Sequence, residues 1–365
     1  MGFLEEWRMV WRRRRTWLAL LAAIMIGIIF SLVLAQQPNT MQEEKRGELN
    51  QLQAVLNSYG DNVNDPRVGE DPLYQLLLTQ ETLLRRQNQN LIMEDLESFR
   101  QVDYELRLNE QKLWQQEGQL TSTFFLPPKY QVTQNVLVDK TLIQGAHRVE
   151  LNSRSAARAG YDWLIYITLG FFILIVFSAQ GNLLEEFQHE TILRGFPSSL
   201  YRRLSGQLLV RTLCALGLIL LSWLSVAGSM ALINGWGDFT YPTALPWQNH
   251  FVILPRWQFL LILLGVFLLV GFLVNQLVAL INSYTRNGAV TVILLLGLYF
   301  SAFVWQATLW PGTWFQLDKI MTGAYFDGHP LGLEHFVVYW CVLIIALQAW
   351  LFIRLQKATL YRRSA

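Results

Sequence analysis

The sequence is poor in charge and in cysteine. Only 15% of its 365 residues are Asp, Glu, Lys or Arg, compared with roughly 25% in an average soluble domain. The formal net charge is +2, and we expect no nucleic-acid partner. The two cysteines, Cys214 and Cys341, lie inside apolar runs, so we expect no disulfide in the polar segments. This composition is typical of a membrane protein and not of a soluble domain.

Motifs of catalysis and of metal binding are also missing. No G-x-x-x-x-G-K-[ST] loop occurs, so the chain has no phosphate-binding loop of that type for ATP. His329 and His335 are six residues apart, whereas a metal-binding pair on one helix face is four apart. No apolar run carries Asp, Glu, Lys or Arg near its middle, where ion-coupled transporters place such residues. We therefore expect no catalytic residue, no metal site and no cofactor in this chain, which is not an enzyme by itself.

Long apolar runs, in contrast, are abundant. A helix needs about 20 mostly apolar residues to cross a bilayer core about 30 Å thick. Six stretches meet this requirement: 17–35, 161–179, 212–233, 259–281, 290–310 and 336–353. A membrane β-barrel would instead show alternating strands of about 10 residues. The runs predict an all-α polytopic membrane protein with six transmembrane helices, of which helices 3–6, their short loops and a tail occupy residues 212–365.

The distribution of Lys and Arg predicts the orientation. Residues 1–16 hold five basic residues and residues 180–211 hold four, whereas the loops 234–258 and 311–335 hold only Arg256 and Lys319. Short loops rich in Lys and Arg stay in the cytoplasm. We expect a multi-pass protein of the cell membrane with both termini in the cytoplasm and residues 36–160 outside. The run 17–35 exceeds the 7–15 residues of a signal-peptide core, so a retained anchor is favoured over a cleaved signal.

Two polar segments have helical periodicity. In residues 1–16, Trp7 and Trp11 share one face, and the pattern predicts a helix in the cytoplasmic membrane interface. Residues 36–160 predict a mainly helical extracellular domain, with a break in its long helical stretch near residues 85–90. Residues 124–140 are rich in residues that favour strands. The Leu, Gln and Glu pattern of this domain indicates helix packing and does not reveal a ligand site.

The segment 185–204, EEFQHETILRGFPSSLYRRL, is too long and too amphipathic to be a simple loop between two spans. Gly195, Phe196 and Pro197 predict the end of one helix, after which Ser198 can cap the next. One interpretation is a helix lying on the membrane surface. The carboxylates Glu185 and Glu186 would be repelled by anionic lipid, however, and this favours docking to a protein partner.

This segment resembles the cytoplasmic coupling segment of permeases of the type-2 ATP-binding-cassette (ABC) exporter class. In that family a Glu after the second span leads into a Thr or Gly, a short aliphatic and basic run, and then a Pro that opens the third helix. The matching residues here are Glu190, Thr191, Ile192, Leu193, Arg194, Gly195, Phe196 and Pro197. The six runs, the N-terminal helix and the stretch YFDGHPLGLEHF also resemble this class. The resemblance covers residues 1–35 and 161–365.

The resemblance implies a complex in which this chain is the transmembrane permease. A separate nucleotide-binding ATPase subunit, which carries ATP and Mg, would dock on the coupling segment at 180–211. A second copy or a sister permease would complete the complex. As cargo we expect an amphipathic substrate such as an antimicrobial peptide, because the acidic outer segment attracts cations.

Two spans offer candidate residues for the cargo path. Span 2 provides the aromatic residues Phe171 and Phe172, and span 5 provides Ser301 and Gln306. Small and hydroxylated residues permit close helix approach, so span 5 is expected to face a neighbouring subunit. The ordinary alternative is that these aromatic residues face lipid or pack internally.

Two other functional classes remain open. The chain would be a secondary transporter if transport depended on an ion gradient and not on ATP. It would be a membrane-anchored sensor or scaffold if its extracellular helices bound a partner.

Overall fold

A computed structural model of the chain provides the architecture. The described residues are 7–8, 11–12, 14–36, 41–60, 71–116, 126–145, 150, 154–184, 200–305, 310–327 and 331–361. The helices in this part of the chain are α1 (Arg14–Gln36), α2 (Met41–Gly60), α3 (Pro72–Ile92), α4 (Leu96–Gln115), α5 (Lys129–Gln144), α6 (Ala156–Ala179), α7 (Leu200–Asn234), α8 (Arg256–Thr285), α9 (Gly288–Val304), α10 (Leu317–Thr322) and α11 (Leu333–Tyr361). The remaining elements are two 3-10 turns, Pro311–Phe315 and Ala324–Asp327, and a two-stranded hairpin.

Five of these helices, α1, α6, α7, α8 and α11, are long and apolar enough to cross a membrane. The predicted helical membrane protein is therefore confirmed. α7 begins at Leu200, well before the predicted run at 212, and its 35 residues extend about 52 Å. It thus projects several turns beyond a hydrocarbon core about 30 Å thick. The described part of the sequence-predicted interfacial helix contains Trp7 and Trp11, whose ring centroids are 6.0 Å apart.

The run 290–310 forms a shorter helix than expected. α9 has 17 residues, which lies at the lower limit of about 17–25 residues for a membrane span. After α9 the chain folds back, and the indole of Trp310 donates a hydrogen bond to Ser301 Oγ at 2.7 Å. Gly312 permits this return, because a Cβ at this position would lie 2.4 Å from the Leu298 carbonyl oxygen. The sequence showed the apolar run but not this reversal at its end.

The membrane helices pack around α8. Half of the residues in the most apolar stretch of α8 are buried, compared with 11% in the corresponding stretch of α1, which lies at the periphery. α1 is held against α7 by small residues. Ser225 Oγ donates a hydrogen bond to the Ile24 carbonyl at 2.9 Å, and a Cβ on Gly27 would lie 2.8 Å from the Ser222 carbonyl. Such close backbone approach is typical of helix pairs in membranes.

A β-hairpin lies in the segment 234–258, where only a short loop was expected. Strands β1 (Pro242–Trp247) and β2 (His250–Pro255) pair antiparallel, with Trp247 opposite His250. Gln248 and Asn249 form the turn with φ values of 45° and 60°. Positive φ at both central residues is typical of the tight turns that match strand twist. This hairpin departs from the otherwise helical architecture of the described residues.

Helices α2–α5 form a four-helix domain. Buried leucines hold its core, among them Leu52, Leu77 and Leu106. The predicted break in the long helical stretch is present, but it lies at 93–95, where Asp95 caps α4 by accepting a hydrogen bond from the Ser98 amide. Residues 129–140, which were expected to favour strands, instead lie in α5, which begins after Pro128. Packing against α4 outweighs their local strand propensity.

Candidate functional site

The predicted ATPase-coupling residues, Glu185, Glu186, Glu190, Thr191, Arg194, Gly195, Phe196 and Pro197, lie outside the described residues. The structure does describe the chain on both sides of them. α6 ends at Ala179 and the chain continues to Leu184, while α7 begins at Leu200. Both flanks are therefore attached to membrane helices.

Three buried asparagines, here called the amide clamp, fix the end of α6. Asn182 donates to Asn275 Oδ1 of α8 at 2.9 Å. Asn282 donates to the carbonyl oxygens of Gln180 and Asn182 at 3.0 and 2.8 Å. Asn182, Asn275 and Asn282 are each at most 1% exposed. Hydrogen bonds replace most of the lost hydration of these amides, although Asn182 Oδ1 has no partner among the described residues, and they give the chain a fixed exit from α6.

Hydrogen bonds of the same kind extend to three further helices. Asn275 donates to Thr212 Oγ1 of α7 at 3.0 Å, and Thr291 Oγ1 of α9 donates to Asn282 Oδ1 at 2.6 Å. Gln276 donates to Gln348 Oε1 of α11 at 2.5 Å. Uncharged polar residues thus form hydrogen bonds between the apolar helices.

Two predicted path residues, Phe171 and Phe172, are packed inside the single chain. Phe171 lies 4.5 Å from Phe267 between ring centroids. Phe172 is fully buried and stacks on Tyr299 at 5.0 Å with an interplanar angle of 9°. It also contacts Phe315 of the 3-10 turn at 4.7 Å. Cargo would reach Phe172 only if α9 and this turn separated from α6.

The other two predicted path residues belong to the end of α9. Ser301 donates to the Leu298 carbonyl at 2.6 Å and accepts the hydrogen bond of Trp310. Its hydroxyl therefore stabilises the chain reversal after α9. Gln306 lies outside the described residues.

A polar cavity of about 520 Å³ lies at the opposite end of the bundle, below the four-helix domain. Its wall combines α2, α4 and α5 with the first turns of α6 and α8 and with β1. The lining residues that carry charge are Lys45, Glu48, Asp103, Arg107, Asp139, Arg158 and Arg256. Three tyrosines, Tyr130, Tyr161 and Tyr241, complete the wall together with amide side chains. The cavity thus lies between the four-helix domain and the membrane bundle, and both contribute polar side chains to its wall.

One ion pair at the cavity is deeply buried. The Arg256 guanidinium contacts both carboxylate oxygens of Glu150, at 2.8 and 3.2 Å, and its side chain is 2% exposed. Its Nη1 also donates to the Asp238 carbonyl at 3.2 Å. The guanidinium carbon lies 4.9 Å from the centroid of the Tyr241 ring. Burial of the ring raises the pKa of Tyr241 to about 12, so its hydroxyl is neutral at physiological pH.

A second group of charges lies on the four-helix side. Arg107 binds both oxygens of Glu110 at 2.9 and 3.0 Å, and Lys45 binds Glu48 at 3.0 Å. Asp103 accepts a hydrogen bond from Gln87 at 2.5 Å and lies 3.7 Å from Arg107. Burial raises the pKa of Glu110, whereas the Arg107 charge opposes that change.

Sequence reasoning identified none of these cavity residues as a site. Gln131, Asn135 and Asp139 do recur at four-residue spacing, which places three polar side chains on one face of α5. That spacing was hidden because the segment was expected to favour strands. The long-range pair of Arg256 with Glu150 has no local pattern at all.

The two described regions provide different chemistry. The amide clamp fixes backbone geometry beside the predicted coupling segment, whereas the cavity presents charge to a ligand of small-molecule size. Among the described residues, no group of three or more His, Cys, Asp or Glu side chains is placed to hold a metal ion. Comparisons with protein-family models, with curated proteins and with solved structures found no match for this chain.

Proposed function

We propose that the chain is the permease subunit of an ATP-driven exporter of the ABC type-2 class. A separate nucleotide-binding ATPase, which carries ATP and Mg, docks on the coupling segment and drives the transport cycle. The observation that supports this most directly is the attachment of residues 185–199. On one side they follow the amide clamp, and on the other side they lead directly into α7.

This attachment is suited to the transmission of force. A segment between two mobile loops would absorb a displacement, whereas a segment between rigid helices passes it on. The clamp binds the end of α6 to α8, and α8 in turn bonds to α7 and α11 through Asn275 and Gln276. A push on residues 185–199 would therefore reach several membrane helices at once.

In this proposal α9 is the sixth membrane crossing, and both termini lie in the cytoplasm of the cell. Its length of 17 residues suffices for a short crossing, and it packs against α6 and α8. The four-helix domain then lies outside the cell. An amphipathic peptide remains the proposed cargo, and a second copy or a sister permease completes the path.

Charge reversal in the coupling segment tests the proposal. Glu190→Lys or Arg194→Glu should uncouple transport from ATP hydrolysis when the permease and its ATPase are reconstituted in vesicles, because each change opposes the docking charges. Lys112→Glu is the matched control, since Lys112 is exposed on α4 in the four-helix domain. Normal subunit association and unchanged transport in both coupling variants would contradict the proposal.

A second candidate function is a membrane-anchored sensor. The charged cavity favours it, because small-molecule sites often lie where two parts of a protein meet. A sensor would respond to its ligand without coupled transport. The reconstitution distinguishes the two, since a sensor would show no ATP-dependent transport in any variant.

A further inference from the structure

The cavity between the four-helix domain and the bundle has the size of a binding site. Its volume of about 520 Å³ falls within the ~300–1,000 Å³ typical of small-molecule pockets. Most of its wall is formed by polar and charged side chains. What the cavity binds is determined by which charges its own residues leave uncompensated.

The cations of the wall already have carboxylate partners. Arg256 pairs with Glu150, and the other three cations pair with carboxylates on their own helices. The cations are Lys45, Arg107, Arg158 and Arg256, and the carboxylates on the wall or paired with it are Glu48, Asp103, Glu110, Asp139, Glu150 and Asp162. Counting the partners Glu110, Glu150 and Asp162, which do not themselves line the cavity, carboxylates exceed cations by two when Asp139 is ionised and by one when it is protonated. The surroundings of the cavity as a whole therefore favour a positive charge.

Asp139 is the carboxylate best placed to receive that charge. It is 8% exposed and lines the cavity, and its Oδ2 has no hydrogen-bond partner among the described residues. A buried carboxylate oxygen without a partner is costly, so it gains from a cationic donor. Asn135 and Gln131 line the cavity one and two turns before Asp139 on α5. Their amide oxygens add neutral acceptors beside the charged one.

The chemistry of the wall favours an organic cation over a metal ion. Calcium takes six to eight oxygen ligands at about 2.3–2.6 Å, and nearby cations repel its double charge more strongly than the single charge of an ammonium group. Here Lys45 and Arg107 approach Asp103 on the same wall, at 4.0 and 3.7 Å. The cavity volume also greatly exceeds that of a single ion. A cationic group on an organic body fills the space and meets the acceptors.

We propose that this cavity is a binding site for a small organic cation, whose ammonium or guanidinium group pairs with Asp139 and is flanked by Asn135 and Gln131. The proposal does not depend on the exporter function, because binding is measurable without an ATPase. The end of a basic peptide and a small amine share this chemistry. The site has a charged partner, neutral acceptors and a volume suited to one such group and its adjoining residues.

The titration of Asp139 supports this assignment. Burial, and then the charge of Asp103, raise the pKa of Asp139 to about 8, although Arg107 and Lys45 oppose the rise. Glu110 adds to the rise. Glu48 and Tyr241 also border the cavity, and Arg158 and Arg256 face it from the bundle. Below pH 8 a cation must therefore displace a proton from Asp139, whereas above pH 8 the carboxylate is already ionised.

The test is a calorimetric titration of the full-length chain in nanodiscs of neutral phosphatidylcholine. The probe is N-acetyl-Ala-Lys-Ala-amide, and its matched uncharged probe is N-acetyl-Ala-Gln-Ala-amide. Asp139→Asn should weaken binding of the lysyl probe about 10- to 100-fold, because a hydrogen bond to a charged group is lost. Glu105→Gln, an exposed change on α4, should leave the affinity unchanged. The glutaminyl probe should bind the unmodified chain at least about tenfold more weakly.

The pH profile provides a second measurement that needs no variant. Affinity for the lysyl probe should rise about tenfold per pH unit from pH 6 to 8 and then level off, since the lysyl amine stays charged. Asp139→Asn should remove this dependence. Equal affinity of the unmodified chain and Asp139→Asn, a flat profile from pH 6 to 8, or displacement of the probe by equimolar calcium chloride would each overturn the proposal.

Discussion

The two ends of the membrane bundle are closed by different kinds of polar group. Beside the coupling segment, the neutral amides of Asn182, Asn275 and Asn282 join the helices. Below the four-helix domain, the contacts are ionic, and the pair of Arg256 with Glu150 is the most buried of them. Both ends bury polar atoms, and the coupling end also buries the Arg203 side chain at the start of α7, but the ion pairs described above lie at the cavity end.

The two kinds of polar group suit different roles: neutral amides suit a mechanical role, and buried ions suit a binding role. Neutral amides cost less to bury than ions, and a hydrogen-bonded set of them holds one geometry over a wide pH range. Buried ions are costly and are sensitive to protonation and to ligands. The amide clamp is thus suited to transmitting a displacement, whereas the cavity is suited to detecting a charged molecule. Three substitutions test this contrast.

The largest loss of stability should come from the ionic end. Arg256→Met leaves Glu150 buried without its partner and should lower the free energy of unfolding by about 3–5 kcal/mol. Thermal unfolding in detergent measures this loss. Arg158→Met removes a more exposed pair with Asp162, at 46% and 33% side-chain exposure, and should cost less than about 1 kcal/mol. Equal losses in the two variants would show that burial does not set the cost.

A smaller loss should come from the amide end. Asn282→Ala removes two donated hydrogen bonds to backbone carbonyls and the closest acceptor of Thr291, whose hydroxyl keeps the Asn287 carbonyl at 3.2 Å. We expect a loss of about 2–3 kcal/mol, since each unsatisfied buried group costs about 1–3 kcal/mol and the site relaxes in part. Asn287→Ala, which removes only the exposed cap of α9, should cost about 1 kcal/mol. Thermal unfolding at pH 5 and pH 8 should show the same loss for Asn282→Ala, because no charge is involved.

The third change should increase stability and should depend on pH. The pKa of Asp139 is raised to about 8 in the folded chain, so folding favours its protonated form. The destabilisation is absent below about pH 4, grows as the pH rises, and is complete above about pH 8. Asp139→Asn should therefore stabilise the chain by about 1–3 kcal/mol at pH 8 and by less at pH 5. A gain that is equal at both pH values would contradict an ionisable origin.

Much of the fold was predictable because membrane helices have a strong sequence signal. The apolar runs located α1, α6, α7, α8 and α11, although α7 begins earlier than its run. The end of α9 was not predictable, because it depends on the close approach of Gly312 to Leu298. The hairpin was hidden by Pro242 and Pro246, which are unusual in strands.

Site residues could be predicted from the sequence only where they lie close together along the chain. The coupling segment is continuous in sequence, so its pattern is readable, but its residues lie outside the described part of the chain. The amide clamp joins residues about 100 positions apart, such as Asn182 and Asn282. The cavity joins α5 to β1 and α8 through tertiary contacts alone. No spacing rule connects Asp139 with Arg256, so only the folded chain brings them to one wall.

Purification of the chain from its native membrane tests whether it is an ABC permease. We expect a co-purifying subunit that contains a G-x-x-x-x-G-K-[ST] loop and hydrolyses ATP, and we expect its loss in Glu190→Lys and Arg194→Glu but not in Lys112→Glu. Recovery of a folded, transport-competent chain without any such ATPase would contradict it. So would an ATPase that stays bound in both coupling variants and still drives transport.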